Sequence, residues 1–146
     1  MNVEPRVDGG GMMNYRKNLE RKARHAERLA REDAAGKLSV HAPDLKDFSI
    51  SIDETPRSGS ATGGTRYIRR VVIASAPALF VLPCSDPRCE DGGYDVTAEF
   101  LAALAYRRTV FEGQRSCPGR SSMHDCGRVL RYVATAAYHD EKKAPS

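Results

Sequence analysis

Apolar residues recur every three or four positions in one segment of this chain and every second position in several others. From Asn14 to Ala35 there is neither Gly nor Pro, and Leu19, Ala23, Ala26, Leu29 and Ala30 share one side of a helix. Arg, Lys, Glu, Leu and Ala, all strong helix formers, fill most of the segment. The pattern predicts a helix over 14–36, with Asn14 as N-cap and Gly36 as C-cap. Its apolar side is narrow and mostly alanine. After Leu19 the seam offers only Lys22 or Ala23, then Ala26, too little for a self-supporting coiled coil.

Asp47 to Ile52 alternates apolar with polar residues and reads as a half-buried strand. Glu54 to Thr65, rich in Ser, Gly and Thr, reads as a flexible loop. Tyr67–Ser75 and Leu79–Pro83 are two β-rich runs, expected to form a hairpin with Pro77 in its turn. Asp95 is placed to cap a helix from Val96 to Arg107, with Glu99 in its first turn and Phe100, Leu101 and Leu104 as its apolar stripe. Thr109–Phe111 is a short strand, Gly113–Gly127 a loop, and Val129–Tyr138 a last strand whose alanines leave a helix open as well. The expected organisation is disorder over 1–13, a basic helix over 14–36, strand and flexible linker over 37–65, an α+β domain over 66–138 and a disordered tail over 139–146. No internal repeat is visible.

At 146 residues, 40% hydrophobic and 29% charged, the chain fits about one polar domain. The longest apolar run, Ala76 to Pro83, is far too short to span a bilayer. No apolar segment follows Met1–Arg6, so a reducing cytoplasm is expected, with no membrane partner.

That compartment bears on the four cysteines. Cys84-x4-Cys89 and Cys117-x8-Cys126 lie in two turn-forming loops 27 residues apart, punctuated by Pro87, Gly92, Gly93, Pro118 and Gly119. Two turns that each aim two sulfurs at one point can hold a tetrahedral zinc ion. The arrangement resembles zinc-ribbon and treble-clef-like zinc fingers over roughly Leu82–Val129, although those families usually have C-x2-C knuckles. The resemblance implies a structural Zn2+ held by Cys84, Cys89, Cys117 and Cys126. His124 offers itself as a replacement for Cys126. Disulfides, or four unrelated core cysteines, are the readings without metal. Pro83-Cys84-x4-Cys89 before a helix also resembles half of a zinc deaminase signature, but the upstream His41-Ala42-Pro43 has Pro where the proton-shuttling Glu is needed. No Walker-type loop and no G-x-S-x-G elbow is present. Asp86, Glu90, Asp91 and Asp95 read as a solvated acidic turn.

Charge completes the picture. Residues 15–31 hold seven basic and two acidic groups, so Arg16, Lys17, Arg21, Lys22, Arg24 and Arg28 are candidate nucleic-acid contacts, distributed around much of the helix. Residues 66–138 add arginines but no lysine, with Tyr67, Tyr106, Phe111 and Tyr132 as candidate stacking partners for bases. The expectation is a small α+β domain with an antiparallel sheet, one main helix and a four-cysteine zinc site, preceded by a basic N-terminal helix. Its expected role is a non-enzymatic zinc finger binding DNA or RNA, or a complex such as a ribosome or transcription machinery. A protein–protein adaptor is the alternative.

Overall fold

The computed structural model describes residues 9–56, 64–121 and 124–139, with side chains from Tyr15 onward except at 121–124. The chain divides into two compact units, Met1–Ala35 and Gly36–Ser146. The first is the helix α1 (Gly9–Ala35). It starts earlier than Asn14, because once the good helix formers nucleate a helix, its extension is far cheaper than its initiation. It stops at Gly36, whose φ of 81° is a left-handed conformation that glycine adopts without strain. The remaining residues expected to be disordered, 1–8 and 140–146, lie outside the described ones.

The second unit is built on β1 (Leu45–Thr55), β2 (Thr65–Arg70), β6 (Val110–Ser116) and β9 (Val129–Tyr138). They form one antiparallel sheet in the order β2-β1-β9-β6. On β1, Phe48, Ile50, Ile52 and Glu54 turn inward; on β9, Leu130, Tyr132, Ala134 and Ala136 do so. Against this face lies the helix α3 (Thr97–Ala105), which buries Phe100, Ala103 and Leu104. Phe100 is the hub of the core. Its ring centroid is 5.6 Å from Phe48, 5.1 Å from Phe80, 5.4 Å from Phe111 and 5.0 Å from Tyr132. Tilted and edge-on ring pairs at these distances add to what area burial alone provides.

Three expectations are corrected. The strand expected within 37–65 is present but does not lie outside the 66–138 domain: β1 is a central strand of its sheet with a partner on each side, and its Phe48, Ile50 and Ile52 are core residues. The stretch after Thr55 is the β1–β2 hairpin connection, of which 57–63 lie outside the described residues. Tyr67–Ser75 and Leu79–Pro83 do not pair with each other. β2 takes the edge of β1, while β3 (Val81–Leu82) leaves the sheet to pair with β5 (Tyr94–Asp95). Pro77 sits instead in a bridge to Lys37, beside the short helix α2 (Leu38–His41), where Leu38 N–H donates to the Ala76 carbonyl. Finally, α3 begins at Thr97 rather than at an Asp95 cap. The Asp95 carboxylate accepts from Thr97 N–H at 3.0 Å, and the helix ends at Ala105, short of Arg107, whose φ is 56°.

Candidate metal centre

Each cysteine is delivered by the end of an element. Cys84 follows β3 and Pro83, and Cys89 opens β4 (Cys89–Glu90). Between them, Cys89 N–H donates to the Asp86 carbonyl and closes the four-residue gap as a turn. Cys117 follows β6, its N–H donating to the Arg128 carbonyl at 2.8 Å. The eight-residue gap to Cys126 is filled by a hairpin of β7 (Arg120–Ser121) and β8 (His124–Asp125), with β4 paired to β7. The loop expected over 113–127 is therefore partly strand, since β6 runs to Ser116 and a mini-sheet holds the cysteines.

The four sulfurs lie within 4.8 Å of one another. Cys84 Sγ is 3.6 Å from Cys126 Sγ, and Cys89 Sγ is 3.6 Å from Cys117 Sγ, so each short edge joins the two loops. A metal–sulfur bond of about 2.3 Å implies a tetrahedral edge of ~3.8 Å. None of the four cysteines is disulfide-bonded, and their convergence on one point does not fit unrelated core positions. The sequence reading placed Cys126 and His124 as rivals. Cys126 Sγ joins the cluster, and the His124 side chain lies outside the described residues.

The surroundings are shaped for four sulfurs. A Cβ on Gly92 would overlap the sulfurs of Cys89 and Cys117, and one on Gly119 would overlap Cys89 Sγ and the Glu90 carbonyl. Gly93 N–H and Gly119 N–H both donate to Cys117 Sγ at 3.4 Å. Burial works to raise the Cys117 thiol, yet these two amides and the thiols of Cys89 and Cys126 bring it below its ordinary value. Burial and the neighbouring sulfurs push Cys84 up to about 12 and raise Cys89 as well. Amide donors aimed at one sulfur within a cluster of four form a donor set that a cation would complete. Asp86 and Asp95 accept from local backbone amides, consistent with a turn rather than a second ion site.

The basic residues of α1 are all exposed. Residues advance about 100° each along a helix. Lys17, Arg21, Arg24, Arg28 and Arg31 therefore fall within about 80° of one another, a stripe ~21 Å long. This corrects the reading of charges wrapped around the helix: only Arg16 and Lys22 lie off the stripe, and Arg31, absent from the candidate contacts, belongs to it. Tyr15, Leu19, Ala26, Leu29 and Ala30 occupy the opposite side.

The aromatic candidates divide differently. Phe111 and Tyr132 are core, Tyr106 is exposed beyond α3, and Tyr67 is half-exposed on β2. Several arginines of the second unit have acidic partners: Arg66 on Asp53, Arg107 on Asp44, Arg115 on Glu99 and Arg128 on Glu54. No protein-family profile, curated protein or solved structure matches the chain.

Proposed function

We propose that this is a non-enzymatic protein whose four cysteines hold a structural zinc ion and whose helix α1 binds nucleic acid. The basic stripe of α1 carries the reading: five cations in 4-3-4-3 spacing along one exposed side are suited to a row of phosphates. Zinc is favoured by an all-thiolate tetrahedral donor set, and four sulfurs fill the coordination shell, as in structural rather than catalytic sites. The acidic partners of Arg66, Arg107, Arg115 and Arg128 within the second unit favour α1 over those arginines as the nucleic-acid contact.

The test is a salt titration of binding to duplex DNA, single-stranded DNA and RNA. Five phosphate contacts on a duplex give a log–log slope near −4.5, about a 500-fold loss of affinity between 50 and 200 mM salt. Arg24→Ala and Arg28→Ala should each reduce the slope by about 1. Lys22→Ala, off the stripe, should leave it unchanged. Negligible binding to all three at low salt overturns the proposal.

The exposed apolar side of α1, with Tyr15, Leu19 and Leu29, favours a second reading, an adaptor whose helix docks in a partner's groove. Binding that survives high salt and nuclease but is lost in Leu19→Asp would select it.

A further inference from the structure

We infer that Glu54, 30 residues before the first cysteine, is the positioning residue of the metal centre. The inference rests on the reading of the cysteine cluster as a metal site.

The inward row of β1 runs Phe48, Ile50, Ile52 and then Glu54, so an apolar series ends in a carboxyl group that is 1% exposed. A carboxylate so placed is costly unless its oxygens are satisfied. Tyr94 Oη donates to Glu54 Oε2 at 2.6 Å, Ser85 N–H donates to the same oxygen at 3.2 Å, and Arg128 Nε lies 3.7 Å from it. Each of these partners belongs to a cysteine loop. Ser85 follows Cys84. Tyr94 follows Gly93, whose amide donates to Cys117 Sγ. Arg128 lies two residues after Cys126, and its carbonyl accepts the Cys117 N–H. A single oxygen thus gathers the Ser85 backbone and the Tyr94 and Arg128 side chains, each from a segment that positions the cysteines. Strand pairing holds its own backbone in turn, since Glu54 faces Thr65 on β2 and Leu130 on β9. Groups that fix the ligands of a metal matter almost as much as the ligands themselves.

The full chain is titrated with zinc and with cobalt against a chromophoric chelator, as wild type, Glu54→Gln, Tyr94→Phe and Asp53→Asn. Glu54→Gln keeps an acceptor oxygen but brings an amide donor towards Arg128. Tyr94→Phe removes one hydroxyl and leaves the core shape intact. Both should lower metal affinity by about 10–100-fold and shift the cobalt–thiolate bands, because the sulfur geometry relaxes. Asp53, on the outer face of β1 and paired with Arg66, is the control and should change neither. A residue that merely stabilised the fold would lower the melting temperature without moving the cobalt spectrum. Wild-type affinity and spectra in both Glu54→Gln and Tyr94→Phe overturn the inference. A wild-type chain that takes up neither metal overturns the metal reading itself, and this one with it.

Discussion

At Gly119 a hydrogen atom is all that separates the backbone from Cys89 Sγ and the Glu90 carbonyl. Adding a methyl group there cannot be absorbed by a flexible side chain, because carbonyl and Cα atoms are among the obstacles. Gly119→Ala should therefore lower metal affinity by at least about 10-fold, comparable to losing an outer-shell partner, measured by chelator competition. Gly113 is a useful contrast: a Cβ there would meet the Tyr132 ring, in the core rather than at the cysteines, and its substitution should cost stability instead. The cysteines and the turn glycines were legible in the sequence because Cys and Gly have few other reasons to cluster. Glu54 was not. It closes an alternating run, where an acid reads as the first residue of a loop, and its burial depends on Tyr94, Ser85 and Arg128 from 31 to 74 positions away.

Among the elements, β9 could be read from its own residues with its bounds intact, although its alanines left a helix open, and α3 with only its ends displaced. The pairing of β2 could not. Proximity along the chain favoured a hairpin with Leu79–Pro83, whereas the hydrogen-bonding edge of β1 was the better partner. Likewise, the alternation of Asp47–Ile52 identified a strand but not that both of its edges would be covered. The stake is testable by shortening the chain. A form beginning at Gly36 should keep the sheet and its metal, because α1 belongs to another unit. One beginning at Arg66 should lose both, because it lacks β1 with Phe48, Ile50, Ile52 and Glu54. Circular dichroism and metal stoichiometry on the two forms distinguish a domain of 36–139 from the 66–138 suggested by patterning.

Over the whole second unit, the core has four phenylalanines and no tryptophan, and the cysteine loops contribute mainly turns to it. A structural zinc ion contributes on the order of 10 kcal/mol to folding, similar to the entire stability of a domain. Chelation at neutral pH should accordingly unfold residues 36–139, followed by circular dichroism and amide dispersion. Acid should act in the same direction. Burial and the neighbouring sulfurs raise the Cys84 and Cys89 thiols, so an incoming cation must displace their protons and its affinity should fall steeply as pH falls. The raised thiols add a separate pH dependence to folding itself, opposite in sign. A thiol raised from 9.0 to about 12 favours folding below pH 9, and that contribution disappears as pH rises towards 12. The rims of the main sheet have a consequence of their own. β2 carries Arg66, Arg69 and Arg70, and β6 carries Glu112 and Arg115, so each unpaired margin presents charge where a strand from another molecule would have to lie. Two β2 margins meeting edge to edge would bring arginines against arginines, and charge on an open edge discourages a small, polar sheet from growing into fibrils.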